Sequence, residues 1–445
     1  MSSDTEVVVV VGNGMVGHRF LERLRKYDKS KRYTLISIGE EPIQHYNRML
    51  LTEYFEHLSI EKLKLALPEW YAENEITLLL ASQALALDTD NKKILCQRLG
   101  DDVAKEDQQF QVAYDRLVIA TGASALVPNL PGTDRTGVFV YRTIADLNSI
   151  IAYGEAQQQA EAAGGAKKYA LVVGGGLLGL EAAKAIHDLN VSVRIINRGG
   201  RLMSRQLDDD GAKVLHNEIV NKFGIDVLYH KSTKEIRGSD EHGVEGVEFT
   251  DGESFDDVCM IVFATGIKPR DELAHSSGLE LAKRGGIVID DYLESNTPNV
   301  FAIGECVSHH NVTYGLVAPG YEMADILAKN LTCSSPEDRV AFPGGDVSTK
   351  LKLMGMEVGS FGDYFPEFIK EPFEALTYNN PLEKVYKKLF FSADGKKLLG
   401  GILVGDTSDF VRLSLMCKMK DTKPLVDPPN EILLGKRGGD AGNSV

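Results

Sequence analysis

Two glycine fingerprints constrain this chain more than any other feature of its sequence. Gly12-Asn13-Gly14-Met15-Val16-Gly17 directly follows the apolar run Val7–Val11 and precedes a segment in which Phe20, Leu21 and Leu24 recur at helical spacing. Gly174-Gly175-Gly176-Leu177-Leu178-Gly179 likewise follows Ala170–Val173 and precedes the good helix formers Leu180-Glu181-Ala182-Ala183-Lys184. With 43 glycines in 445 residues, the spacing G-x-G-x-x-G should arise by chance about 0.4 times. Two copies, each set as strand, tight turn and helix, therefore predict two dinucleotide-binding units. A dinucleotide pyrophosphate rests on the bare N–H groups and positive dipole end of the helix. The glycines make the turn, admit the phosphates and pack helix on strand.

In such a Rossmann-like unit a second strand ends beside the adenosine ribose, with a carboxylate there if the 2′-hydroxyl is free. Thr34–Ile38 ends in Gly39-Glu40, so Glu40 suits a ribose hydroxyl pair, with Glu41 the less favoured neighbour. Val191–Ile196 ends instead in Asn197-Arg198-Gly199-Gly200-Arg201, where no carboxylate stands. Arg198 and Arg201 can pair with a 2′-phosphate, which favours NADPH over NADH; a solvated loop is their alternative role. The two sites are therefore expected to hold different dinucleotides.

Composition removes other classes of function. The formal net charge is −15, from 49 basic and 64 acidic residues, and no basic cluster offers the footprint that nucleic acid or an anionic membrane needs. No apolar run reaches membrane-spanning length. The cysteines Cys96, Cys259, Cys306, Cys333 and Cys417 are scattered, with no C-x-x-C and no spacing for zinc or an iron–sulfur cluster. No metal site is expected, nor any disulfide, and the pattern fits a reducing, cytoplasmic setting.

Further motifs carry a resemblance. Between the fingerprints lies Tyr114-Asp115-Arg116-Leu117-Val118-Ile119-Ala120-Thr121-Gly122; after the second come Phe263-Ala264-Thr265-Gly266 and Val300-Phe301-Ala302-Ile303-Gly304-Glu305. In this order the motifs resemble the FAD-dependent pyridine nucleotide–disulfide oxidoreductase superfamily. Glu40-Glu41-Pro42, Tyr46-Asn47-Arg48, the run Phe139–Ile144 with Arg142, and Val404–Asp409 are most similar to the flavin-bearing N-terminal part of assimilatory NAD(P)H nitrite reductases, especially the fungal ones. The resemblance spans nearly the whole chain. It implies an FAD- and NAD(P)H-dependent oxidoreductase in which Arg48 and Thr52 reach the FAD phosphates or flavin edge. Ala120-Thr121-Gly122 would close over the cofactor, Gly304-Glu305 would meet its ribityl chain, and Ala318-Pro319-Gly320 would approach the isoalloxazine ring. Glu305 stands where the family usually has Asp. Arg142 and the second Thr265-Gly266 join the cofactor-binding set, and Glu181 matches the acid near the nicotinamide.

The departures set the expected role. Full-length nitrite reductases continue into iron–sulfur and sirohaem domains that need cysteine clusters, which this chain lacks, so it is not expected to reduce nitrite alone. It also has no C-x-x-x-x-C pair after the first unit, and residues 40–52 hold no cysteine, so no thiol relay can be drawn. Electrons are expected to leave FAD for a separate redox protein or a small acceptor. A fragment of a longer nitrite reductase and a dinucleotide-binding redox sensor are the alternatives. The expected class is α/β, with two Rossmann-like three-layer domains and a C-terminal α+β domain. Residues 1–148 and 276–342 would form the FAD domain and 149–275 the NAD(P) domain, with Gln157–Ala163 as a linker helix. Residues 343–426 would form an interface domain with strands at Lys350–Leu353, Val385–Phe391 and Leu398–Val404, supporting dimerisation or partner docking. A mobile tail would follow from 427.

Overall fold

In the computed structural model, which describes residues 5–100 and 108–435, the chain divides into two compact units. One comprises Met1–Ser124 with Ile267–Val347, the other Ala125–Gly266 with Ser348–Val445.

The first unit is built on a five-stranded sheet ordered Val300–Ala302, Arg116–Ile119, Glu6–Val11, Tyr33–Ile38 and Ile76–Leu79. Every neighbouring pair is parallel. A parallel sheet covered on both faces demands an unbroken β-branched strand, and Val8, Val9 and Val10 are fully buried at its centre. Burying each such side chain is worth about 1.5–3 kcal/mol. The helix Met15–Tyr27 returns over this sheet on Phe20, Leu21 and Leu24 and ends with Arg25 and Lys26 in its last turn, where cations complement the dipole. Arg19 and Arg23 reach Asp325 on the helix Val317–Thr332 at 2.7 and 3.1 Å.

The second unit repeats the plan. Its parallel sheet runs Asp226–Tyr229, Ser192–Asn197, Tyr169–Val173, Val258–Phe263 and Val138–Val140. Val138–Val140 already pairs with Val258–Phe263, so the chain joins this sheet before residue 149. Thr143 and Asp146 close a capping box on the helix Ile144–Ala162; the segment expected as a separate linker helix is the continuation of that helix.

The same unit holds an antiparallel five-stranded sheet ordered Thr349–Leu353, Met356–Gly362, Leu398–Val404, Val385–Ser392 and Phe373–Asn380. The turn at Asp394-Gly395 links two of these strands, and Gly395 takes φ +70°. Asp208 ties this sheet to the helix Asp209–Phe223. Its carboxylate caps the helix Asp209–Phe223 through the Gly211 N–H and accepts hydrogen bonds from Tyr386 Oη at 2.6 Å and Lys388 Nζ at 3.0 Å. Near the chain end, Pro429–Leu433 forms a short helix with Ile432 and Leu433 buried, within the stretch expected to be mobile; residues 436–445 lie outside the described residues. Among the described residues, no helix is long and apolar enough to cross a membrane.

Candidate functional site

Both fingerprints fold into the same local geometry. Gly12 has φ +128°, and a Cβ there would stand 2.1 Å from the Ala120 carbonyl oxygen; one on Gly17 would stand 2.5 Å from the Gly12 oxygen. In the second turn, Gly174 at φ +129° and Gly179 meet the Ala264 and Gly174 oxygens at 2.3 and 1.8 Å. These four positions are glycine because backbone crosses backbone there. The middle glycines differ. Gly14 and Gly176 are the N-cap residues of Met15–Tyr27 and Leu177–Asp188, no side chain caps either helix, and nothing lies within 4 Å of where their Cβ atoms would be. Each turn thus presents bare helix N–H groups to an open space, which fits a dinucleotide pyrophosphate.

Around the first turn the structure gathers most of the residues that the sequence singled out. Val16, behind Met15 in the helix start, lies 3.4 Å from a Cβ built on Gly304 and 2.6 Å from one on Gly320, so Gly304-Glu305 and the helix start holding Ala318 crowd against it. Arg48 pairs with Glu41 and donates to Tyr46 Oη at 2.7 Å, and Tyr46 donates to Glu41 at 2.8 Å. Burial opposes the Arg48 charge, but Tyr46, Glu41 and then Glu305 more than compensate, raising its pKa above the usual guanidinium value. Arg48 and Glu305 therefore share one electrostatic neighbourhood. Thr52 follows in the first turn of Leu51–His57. Glu41 is committed to this cluster, while Glu40 pairs with Arg270 at 2.6 Å. Arg270 also braces the motif after Ala120: its carbonyl accepts from Thr121 Oγ1 at 2.5 Å and its N–H donates to the Gly122 oxygen.

Around the second turn, Asn197 Oδ1 accepts from the Gly175 N–H at 3.3 Å, and its Nδ2 donates to the Gly199 and Arg201 oxygens. Asn197 thereby fixes the loop carrying both arginines to the pyrophosphate turn. Arg201 is drawn to Asp209 at 2.9 Å, whereas Arg198 is exposed. Thr265 donates to the Leu126 carbonyl, and Gly266 takes φ +134° with open space at its Cβ position. Arg142 directly precedes the Thr143 cap. Glu181, in the helix Leu177–Asp188, is half-buried, and burial pushes its carboxyl up to about 7.

The thiols are quiet. Cys96, Cys259, Cys306 and Cys417 are buried and Cys333 is half-buried; burial pushes Cys96 and Cys259 up to about 11, so neither is a thiolate at neutral pH.

Sequence reasoning missed two groups. Arg270 stands four residues after Gly266, and its position just past a cofactor motif was the available signal. The second group is a buried hydrogen-bonded cluster in which Tyr71 Oη lies 3.2 Å from His18 Nδ1 and 3.0 Å from His45 Nδ1. Burial lowers His18 to about 4, so its ring is neutral; no local pattern marks this cluster, since Tyr71 is 53 and 26 residues from its partners.

With this geometry in view, comparison with known proteins is specific. The family described as pyridine nucleotide-disulphide oxidoreductase matches residues 6–324, and the rubredoxin NAD+ reductase C-terminal domain matches residues 348–420. The chain is 42% identical to nitrite reductase [NAD(P)H] of Emericella nidulans over 98% of its length and 40% of the relative's. It is 36% identical to the nitrite reductase (NADH) large subunit of Escherichia coli over 98% of its length and 48% of the relative's. It thus spans less than half the length of these two relatives. The solved covalent putidaredoxin reductase–putidaredoxin complex shares the fold, with a TM-score of 0.77 at 20% identity over 96% of this chain and 95% of that one.

Proposed function

The chain belongs to the pyridine nucleotide-disulphide oxidoreductase family as a flavin- and NAD(P)H-dependent oxidoreductase, and from that premise we propose that it passes hydride from NAD(P)H to FAD and electrons onward to a separate redox protein or small acceptor. One observation carries this reading: two open, uncapped pyrophosphate turns occur with no cysteine in either turn or in residues 40–52.

The chain's own residues divide the work. Around the first turn, Gly12, Gly14, Met15, Val16 and Gly17 offer backbone to the FAD pyrophosphate. Arg48 supplies positive charge to phosphate, Thr52 a hydroxyl, and Glu40 and Glu305 carboxylates for ribose and ribityl hydroxyls. Ala120, Thr121, Gly122, Gly304 and Ala318 supply close backbone approach. Around the second, Gly174, Gly176, Leu177, Leu178 and Gly179 receive the nicotinamide dinucleotide, with Thr265, Gly266 and Arg142 beside it and Glu181 near the reacting ring. Asn197 holds Arg198 and Arg201 in place for a 2′-phosphate. The unit of residues 1–124 and 267–347 serves FAD and residues 125–266 serve NAD(P)H, while the C-terminal sheet from residue 348 serves docking or dimerisation. The match to a rubredoxin NAD+ reductase domain and the fold shared with a reductase solved in complex with putidaredoxin support a small redox protein as acceptor.

An acceptor panel tests the proposal. Oxidation of NADPH and NADH is followed with ferricyanide, cytochrome c, quinones and oxygen in turn, and rapid turnover is expected with the one-electron acceptors. Failure of both nucleotides to bleach the bound flavin would sink it. Arg198 gives a sharper expectation. Arg198→Ala should raise KM for NADPH about 10-fold or more, the worth of a charge-assisted phosphate pair, while the KM for NADH stays within about twofold in steady-state assays. The names of the relatives favour a second reading, in which the same electron flow feeds a sirohaem partner that reduces nitrite; nitrite-dependent NADPH oxidation on adding such a protein checks it.

A further inference from the structure

Away from both turns, Asp291, His309 and His310 bring three metal-binding atoms within 4.8 Å of one another. The strand Val307–His309 pairs in parallel with Ile287–Ile289, placing His309 opposite Ile289, so Asp291, two residues on, arrives at the same sheet end. His309 and Val312 exchange both backbone hydrogen bonds, at 3.0 and 2.9 Å. His310 and Asn311, with φ +48° and +63°, are thereby the middle pair of a tight hairpin turn. Such turns favour Asn-Gly, and a left-handed histidine costs about 1–2 kcal/mol. The turn folds the His310 ring back to 4.1 Å from the His309 ring. His309 Nε2 and His310 Nε2 then lie 2.8 and 2.7 Å from the same Asp291 oxygen, Oδ1.

The His309 ring and the Asp291 main chain are held in place. The His309 ring is buried against Phe342, with centroids 5.1 Å apart, and the Phe342 N–H donates to the Asp291 carbonyl at 2.7 Å. On the open side, the His310 side chain is 71% exposed. We propose that Asp291, His309 and His310 form a divalent transition-metal site, for which Zn2+ is the fitting ion. Two imidazole nitrogens and one carboxylate oxygen suit Zn2+ rather than Mg2+ or Ca2+, which take all-oxygen sets. Three protein ligands leave a fourth, solvent-facing position for water or another small donor. With no ion, imidazole N–H groups donate to the carboxylate; on binding, each ring carries its proton on Nδ1 and offers Nε2 to the metal. Ligand bonds of about 2.0–2.2 Å require the present contacts to open to roughly 3.3 Å, about half an ångström each, which the exposed His310 ring and the half-exposed Asp291 carboxylate can supply together.

The test uses tag-free, flavin-loaded full chain, stripped of metal and titrated with Zn2+ alone against a chromophoric chelator. One equivalent is expected to bind, and both His310→Ala and Asp291→Asn should weaken it at least 10-fold with flavin content unchanged. The exposed His310 makes the first variant safe for folding. Absence of a stoichiometric site, wild-type affinity in both variants, or weakening in only one of them overturns the three-ligand site.

Discussion

Gly176→Ala is expected to weaken NAD(P)H binding about 10- to 100-fold while leaving the fold and the bound flavin unchanged. At Gly176 φ is −92°, which alanine adopts freely, and no atom lies within 4 Å of the new Cβ. The added carbon meets only the space proposed for the pyrophosphate, and forcing a methyl group into filled space costs about 1–3 kcal/mol. Titration of nicotinamide nucleotide against the flavin-loaded variant gives the affinity, and thermal unfolding without nucleotide gives the control. Gly14→Ala is the matched partner: its Cβ position is equally open, and the protein should fold but purify with little or no flavin. If Gly176→Ala lost flavin and Gly14→Ala kept it, the assignment of the two turns would be reversed. Gly174→Ala would be uninformative by comparison, because its Cβ would strike the Ala264 oxygen and destabilise the unit whatever binds there.

Glu181→Gln should stabilise the protein at pH 8 and leave it nearly unchanged at pH 5. Burial raises the Glu181 carboxyl from 4.5 to about 7, so between those values the folded chain keeps a proton that the unfolded chain releases. Stability tied to this group is complete below about pH 4.5 and is lost as pH rises through 7. Above pH 8 the folded state holds a half-buried, ionised carboxylate, at a cost on the order of 2–3 kcal/mol. Glutamine cannot ionise and avoids that cost. Denaturant midpoints for both proteins at pH 5 and pH 8 measure the difference; parallel curves would show that water reaches Glu181 freely. The same titration should appear in catalysis, as a change in flavin reduction rate centred near pH 7 in the wild type and absent from the variant.

The parts of this molecule that could be read from its sequence are those encoded locally. A pyrophosphate turn needs its glycines within six residues, and a parallel core strand needs four or five consecutive apolar residues, so both units declared themselves. The C-terminal sheet was half legible. Leu398–Val404 and the apolar ends of Val385–Ser392 flank Asp394-Gly395, but Met356–Gly362 carries Gly359 and Gly362, and Phe373–Asn380 is an edge strand in which no residue is fully buried. Partner choice was illegible. Nothing near Glu40 announces that it pairs with Arg270, 230 residues away, and the Asp291–His309–His310 cluster exists only because two parallel strands end side by side.

The interleaving of the two units also sets a clock. Arg116–Ile119 is flanked in the finished sheet by Glu6–Val11 on one side and Val300–Ala302 on the other, and the whole second parallel sheet is synthesised between the two events. At about 5–20 residues per second, a ribosome needs roughly 10–35 s to deliver the missing neighbour. For that interval the nascent first unit carries an unpaired strand edge, open to pairing with any other chain. Newborn protein, not the finished enzyme, is where overexpression should meet aggregation.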